Sequence, residues 1–285
     1  MLTTHQQALQ AARIVGLDRL DAQLLLLYAL GRPDSDRAWL LAHDDDLLPA
    51  PRAEVFTRLS LRRAAGEPLA YIVGYKDFFG LRFGVDNRVL VPRPDTETLV
   101  QWALDVAKKF AGEALRVLDL GTGSGAIAVA VAATLAKNRP VDAPAAAVSA
   151  VDFSAAALQV AAANAKVLQA DVQFFQSHWF EKVSGHYHVI ASNPPYIASA
   201  DPHLSALTHE PLEALSAGPD GLDDIRHIAL QAPAHLLPSG WLLLEHGFDQ
   251  AATVRAILLQ RGFAQVQSQR DLAGIERCSG GQWLG

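Results

Sequence analysis

Apolar and polar positions change their period along the 285 residues of the chain. Over the first 70 or so residues they follow a helix. Leu20, Leu24, Leu27 and Tyr28 keep the i, i+4, i+7, i+8 spacing of one apolar helix face. "GRP" (Gly31–Pro33) interrupts the pattern, and "PAPRAEVFTRLSLRRAA" restarts it with proline near the helix entry. In "FFGLRFGVDNRVLVPRPDTE" the period shortens to two. Phe79, Leu81, Phe83 and Val85 alternate, Asp86–Asn87 reads as a turn, and Arg88–Val91 resumes an extended pattern. This predicts a β-hairpin that ends in the proline-stiffened "VPRPDTE" (Val91–Glu97).

From about Leu99 short apolar runs alternate with helical ones. "RVLDL" precedes "AIAVAVAATLAK", and "AAVSAVD" precedes "SAAALQVAAANAK". Then follow "VQFF", "YHVIAS", a long polar segment, "WLLLE", "QAATVRAILLQRG" and "AQVQSQ". Apolar strands separated by helices predict a mostly parallel sheet covered on both faces, a doubly wound α/β domain. The expected division is a helical bundle over 1–75, a hairpin linker over 76–97 and the α/β domain over 98–285. There is no internal repeat, and the one biased stretch is the Pro/Ala loop "KNRPVDAPAAA".

Composition narrows the function classes. Half the residues are hydrophobic and 19% are charged, as in a globular protein with a real core. The chain opens without a basic and apolar leader, so no secretory signal is expected. "AIAVAVAATLA" (Ala126–Ala136) is too short to span a bilayer. A single cysteine, Cys278, excludes an internal disulfide framework and fits a reducing cytosol. The formal charge of −6 argues against anchoring on nucleic-acid phosphates. Within residues 1–75, eight Arg face nine Asp and Glu, so this segment suits a protein partner better than a DNA backbone. The histidines form no metal-ligand spacing; "HYH" (His186–His188) flanks a strand rather than binding zinc.

Three motifs carry chemistry. "DLGTGSGAIAV" (Asp119–Val129) turns directly from strand into helix, and Gly121, Gly123 and Gly125 let a ligand approach the backbone. G-x-G-x-x-A also fits a dinucleotide fingerprint, so the ligand stays open at this point. Asp152, closing the second strand, can accept from both ribose hydroxyls of NAD or of S-adenosylmethionine alike, or it can cap the helix near Ser154. "NPPY" (Asn193–Tyr196) ends the fourth strand of the domain, beside the first at the point where strand order reverses. Asn193 Oδ1 and the Pro194 carbonyl can accept the two N–H groups of a planar NH2, and Tyr196 offers it a flat wall. Two fixed acceptors orient such a poor nucleophile toward an incoming methyl group and stabilise the charge that develops on nitrogen.

In order, "VLDLGTGSGAIA", "AVDFS", "HWF", "SNPPYI", "DPHL", "EPLEAL", "GPDGL" and "LLLEHG" make the chain resemble the release-factor glutamine N5-methyltransferases, the PrmC/HemK family, over essentially its whole length. NPPY is shared with adenine-N6 and cytosine-N4 DNA methyltransferases and sets the reaction type only. The helical N-terminal segment, "PRPDTE" and "EPLEAL" point to the protein-directed branch. The resemblance implies a seven-stranded, Rossmann-like S-adenosylmethionine-dependent methyltransferase domain. It implies as substrate the glutamine of the GGQ loop in peptide chain release factors, recognised through residues 1–75. By the family pattern Gly121, Thr122, Gly123, Ser124 and Gly125 lie along the methionine part, Asp152 holds the ribose and Trp179 lies by the adenine. Asn193, Pro194, Pro195 and Tyr196 hold the glutamine, with Asn193 facing the same crevice as the cofactor. Arg93 and Glu97 are expected near the mouth. A cytoplasmic monomer is expected, with no metal, membrane or direct nucleic-acid contact. The alternatives are an adenine-N6 DNA methyltransferase, a nicotinamide dehydrogenase and a catalytically silent binding module.

The chain departs from the family pattern twice. Relatives carry an acid before the tryptophan where this chain has His178, and the tail spells Gly280–Gly281–Gln282, the substrate tripeptide itself. The tail match reads as coincidence.

Overall fold

The structure is a computed structural model that describes residues 3–138 and 143–285. Four residues of the Pro/Ala loop, 139–142, lie outside that set. The chain forms two compact units, Met1–Tyr75 and Lys76–Gly285.

Unit one is helical, with α1 (His5–Ile14), α2 (Arg19–Leu30), α3 (Arg37–Ala42), α4 (Ala50–Ala64) and α5 (Leu69–Val73). A two-residue ladder joins β1 (Thr3–Thr4) to β2 (Leu47–Leu48). The local chemistry is regular. Thr4 and Gln7 make a capping box at α1, Asp18 caps α2, and Gly31 ends α2 in the left-handed conformation. The α2 face differs from the one expected: Leu20 and Tyr28 are exposed, while Ala22, Leu25, Leu26 and Ala29 are buried. In "AQLLLL" nearly every position is apolar, so more than one stripe satisfies the helical period. The packed stripe meets Ala8, Phe56, Leu59 and Ile72 in one core.

From Tyr75, the last residue of unit one, the chain runs into a hairpin of β3 (Tyr75–Phe78) and β4 (Leu81–Gly84), whose two-residue turn holds Phe79 at φ 50° and Gly80 at φ 72°. Two successive left-handed residues match the twist of paired strands. The turn expected at Asp86–Asn87 exists, since Asp86 Oδ1 accepts from Arg88 N–H, but it joins no strands and Arg88–Val91 is irregular. Helix α6 (Thr96–Lys108) follows. The sheet then receives β5 (Arg116–Leu120), α7 (Ala126–Asn138), β6 (Ala147–Asp152), α8 (Ala155–Val167), β7 (Gln173–Gln176), β8 (Tyr187–Ser192), α9 (Asp223–Gln231), β9 (Leu236–Glu245), α10 (Ala251–Gln260), β10 (Ala264–Arg270) and β11 (Glu276–Gln282). Its seven strands run β10-β11-β9-β8-β5-β6-β7, parallel except for the pairs that involve β11. The Rossmann-like α/β class is as expected. Every residue of β8 is buried, as strands covered on both faces require. Leu120, Ile190 and Leu244 on the sheet pack with Ile225, Ile228 and Val254 of α9 and α10.

The segment read as long and polar contains α9, which buries Ile225, Ile228 and Ala229 beneath its acidic start. The tail read as merely glycine-rich is the interior strand β11. Gly280 lies opposite Leu243 and Gly281 opposite Leu242. A Cβ on Gly280 would stand 2.7 Å from the Leu242 carbonyl oxygen and 2.8 Å from the Trp102 ring, so this Gly-Gly is a packing feature of the sheet. Among the described residues no helix is long and apolar enough to cross a membrane.

Gly280→Ala is expected to destabilise the fold by about 1–3 kcal/mol, the usual cost of overpacking. The denaturant midpoint measures it, and an unchanged midpoint would mean that β11 yields easily at this position.

Candidate active site

A cavity of about 440 Å³ opens at the carboxyl ends of β5, β6 and β8. It sits at the switch point, where β5 pairs with β6 on one side and β8 on the other, with Leu120 opposite Ser192. The Ser192 hydroxyl donates to the Leu120 carbonyl at 2.7 Å and ties the two strand ends together.

The glycine turn forms one wall. Gly121 and Thr122 both donate to the Val151 carbonyl at 2.9 Å, which fastens the turn to β6. Gly123 (φ 54°) has nothing within 4 Å of where a Cβ would lie, so its backbone faces open space. Gly125 (φ 82°) instead packs against α8, where a Cβ would stand 3.1 Å from Ala161 Cβ. Asn164 of α8 locks this arrangement: its amide nitrogen donates to Ser124 and Gly84 carbonyls, and its oxygen accepts from Gly84 N–H. Below the turn, buried Asp119 accepts from the Thr122 hydroxyl at 2.6 Å and from Ala128 N–H. Burial pushes its carboxyl up to about 7.

Asp152 is not the cap of α8, a role that Ser154 fills; its carboxylate instead ties the glycine turn to the start of that helix. One carboxylate oxygen accepts from Gly123 N–H and the other from Ser154 N–H, each at 2.9 Å, while Ser154 caps α8 through Ala157 N–H. Each oxygen keeps a further lone pair, and Asp152 lines the cavity. Burial raises its pKa in spite of these donors. The exposed ring of Phe153 lies beside it on the cavity wall, a residue that sequence reasoning passed over although it directly follows the acid.

Trp179 stands across from the turn, its ring 3.3 Å from a Cβ built on Gly121. It holds a left-handed backbone (φ 45°) that costs a non-glycine residue about 1 kcal/mol or more. Ser177 Oγ donates to its carbonyl, and its indole N–H donates to Asp224 at 3.1 Å. His178 lies half-exposed on the same wall, 3.4 Å from Glu181. Asp224, from the α9 that the sequence reading missed, brings a carboxylate to the cavity beside the tryptophan, its pKa raised by burial.

Asn193 and Pro195 complete the opposite wall. Asn193 Nδ2 donates to Thr96 Oγ1 at 3.2 Å, which leaves Oδ1 without a partner among the described residues. Pro194, Tyr196 and Gly125 are not on the cavity wall. Tyr196 is largely buried, and its hydroxyl is pushed up to about 12, chiefly by burial and then by Glu245. Arg93 lines the cavity, whereas Glu97 turns to the hairpin and accepts from Phe79 N–H at 2.8 Å. Glu210 joins two motifs far apart in sequence, accepting from Val91 N–H and from Arg93 at 2.5 Å. "EPLEAL" thereby holds "VPRPDTE" against the site. Among the described residues no cluster of three His, Cys, Asp or Glu could hold a metal ion.

Two family models match the chain, a PrmC N-terminal domain over residues 1–74 and a methyltransferase small domain over residues 97–216. A release factor glutamine methyltransferase of Bordetella pertussis is 48% identical over 270 residues, covering 93% of this chain and 95% of its own length. One from Xylella fastidiosa is 46% identical over 282 residues, with 98% of each chain covered. A solved methyltransferase from Pyrococcus furiosus superposes with a TM-score of 0.52 at 19% identity, over 73% of this chain and 90% of that one; it shares the fold.

Proposed function

The chain belongs to the family of release factor glutamine methyltransferases, and from that premise we propose that Asn193 and the Pro194 carbonyl are the clamp that presents the substrate amide. The relatives are named for methylation of a release-factor glutamine, and the reaction assigned to this chain is transfer of a methyl group from S-adenosylmethionine to N5 of the glutamine in the GGQ motif of peptide chain release factors. The observation that carries the assignment of the clamp is the place of Asn193. It ends β8 on the wall of the cavity that the glycine turn shares, with Oδ1 free to accept.

The cavity fits the cofactor. Its volume lies within the ~300–1,000 Å³ of small-molecule pockets. Gly123 leaves room at the backbone, Asp152 keeps unused lone pairs, and Phe153 and Trp179 provide apolar surface for a flat base. S-adenosylmethionine, when bound, supplies an electrophilic methyl group. Asp152 would take the ribose hydroxyls, Gly121 to Ser124 the methionine end, and Trp179 the adenine.

The residues of the chain do the rest. A glutamine amide delocalises its lone pair into the carbonyl and is a poor nucleophile. With Asn193 Oδ1 and the Pro194 carbonyl each accepting one N–H, the NH2 plane is fixed and its π-face presented for attack. As the methyl carbon passes from sulfur to nitrogen, the C–S bond breaks and positive charge builds on the N–H groups, so both hydrogen bonds strengthen; one of those N–H protons then passes to solvent, which leaves the neutral N-methyl amide and the demethylated thioether. Prolines 194 and 195 restrict the backbone, so the acceptors need no reorganisation. Gln250 donates to the Tyr196 carbonyl at 3.0 Å and ties down the far end of the turn. Nothing on the chain favours a duplex substrate: the total charge is −6, and residues 1–75 balance eight Arg against nine acids.

Asn193→Ala is expected to lower single-turnover rate by about 10²–10³, roughly 2.7–4 kcal/mol, with cofactor affinity and melting temperature changed far less. A folded variant with wild-type turnover would remove the clamp.

Unit one, acid-balanced and rich in arginine, is assigned to release-factor recognition. Removing residues 1–75 is expected to raise KM for release factor while calorimetric binding of S-adenosylmethionine persists and shows that the remaining unit is folded. Equal kcat/KM for the truncated and full-length enzymes would deny unit one that role.

A further inference from the structure

Gln250 joins three segments that are separate in sequence. Its Oε1 accepts from Gly247 N–H at 2.8 Å, just past the end of β9. Its Nε2 donates to the Tyr196 carbonyl at 3.0 Å and to the Asp220 carbonyl at 3.3 Å. One acceptor and two donors on one side chain is what a glutamine amide offers. Glutamate cannot donate, and lysine and arginine cannot accept. The neighbouring glycines make room for this contact. A Cβ on Gly247 would stand 3.0 Å from Gln250 Oε1, and one on Gly221 (φ 72°) would run into the Tyr196 carbonyl oxygen.

The turn that Gln250 holds has few other ties. Pro194 and Pro195 carry no N–H, and over Asn193–Tyr196 the backbone takes one hydrogen bond from the described residues outside it, the one from Gln250. From Ile197 the chain is laced again: Ile197 N–H donates to the Leu215 carbonyl, Ala217 N–H to the Ile197 carbonyl and Ser199 N–H to the Gly218 carbonyl. Prolines fix the shape of a turn, not its place. We infer that Gln250 is a positioning residue for the methyl transfer. By its hydrogen bond, and with Gly221 packed against the same carbonyl, it fixes Tyr196 and so sets where the Pro194 carbonyl and Asn193 stand. The inference rests on the clamp proposed above.

Gln250 stands on a rigid base. It directly precedes α10, whose Val254 and Leu258 are fully buried in the core against the sheet. Yet its side chain makes no capping bond to that helix; every bond it makes goes to another segment. Gln250 is not on the cavity wall, so it acts through the turn rather than on the reacting atoms. The side chain of Asn193 has its own anchor in Thr96 Oγ1. The turn is thus held by β8 at its start, by Thr96 at the Asn193 amide and by Gln250 at its far end. Groups that must stand within a fraction of an ångström of a productive geometry need such support from a rigid element.

Gln250→Glu keeps the length of the side chain and the acceptor for Gly247 N–H, and removes both donors. With S-adenosylmethionine and release factor, its single-turnover rate is expected to fall by about 10- to 100-fold, the loss that follows a misplaced reacting group. Kd for S-adenosylmethionine and KM for release factor should hold. A purely structural Gln250 would instead lower the melting temperature and leave the rate of the folded fraction unchanged, and that result would overturn the inference. Coupling gives a second readout. Added to Asn193→Ala, the Gln250→Glu change should cost less than it does alone, because both damage one clamp; losses that multiply in full would overturn the inference equally. Should Gln250→Glu not fold, Gln250→Met has the same length without the charge and must show the same loss and the same coupling; a full rate there overturns the inference. A fully active Asn193→Ala enzyme overturns the parent clamp, whereas an impaired Asn193→Ala beside a fully active Gln250→Glu overturns the positioning role alone.

Discussion

The parallel ladder between β5 and β8 is the constraint on which the site depends. It sets Leu120 opposite Ser192, and from those two strand ends the chain leaves in different ways: through three left-handed glycines on one side and through Asn193 and two prolines on the other. The glycines let the backbone turn at once into α7 with an open face at Gly123. The prolines restrict the backbone that leaves the other strand. Because both exits start from one hydrogen-bonded pair of strands, the glycine turn and Asn193 are registered to each other by the backbone. Ser192, bonded to Leu120 through its side chain, adds a second tie at that level.

Acids cluster beneath this wall, and their environments divide the work among them. Asp119 is buried under the turn and braces it through Thr122 and Ala128. Asp152 is held by Gly123 and Ser154, which aims it at the cavity with lone pairs to spare. Glu210 is spent on Arg93 and on the backbone of Val91, which clamps the entry to α6. Each of these carboxylates lies under 9% exposed, where an unpaired anion would be costly. The hydrogen bonds that relieve that cost are the same bonds that shape the site.

Much of this was legible in the sequence because the signals were local. Strand-to-helix turns announce themselves through glycine, "NPPY" through its prolines, and the capping of α8 through Ser154. What the sequence hid was set by packing between distant segments. Degenerate leucines in α2 concealed which stripe is buried. The hairpin turn fell at Phe79–Gly80, where a phenylalanine takes a left-handed φ, so the more ordinary turn residues at Asp86–Asn87 misdirected the reading. Strand β11 was invisible because Gly280 and Gly281 have low β-propensity, yet the close approach of Leu242 and Trp102 admits nothing larger than glycine at 280. Asp224 and Thr96 reach the cavity from helices whose place could not be read from periodicity, and Glu210 finds Arg93 across 117 positions of sequence.

In the proposed function a fixed pair of acceptors meets a bound methyl donor at the switch point, and its most direct test is where the methyl group goes. The enzyme is incubated with labelled S-adenosylmethionine and purified release factor, in the presence of duplex DNA, and the products are mapped by peptide mass spectrometry. One methyl group on the side-chain nitrogen of the Gly-Gly-Gln glutamine of the release factor, with none in the DNA, is the predicted result. Label in the duplex, or on Gln282 of the enzyme itself with the release factor untouched, would contradict it.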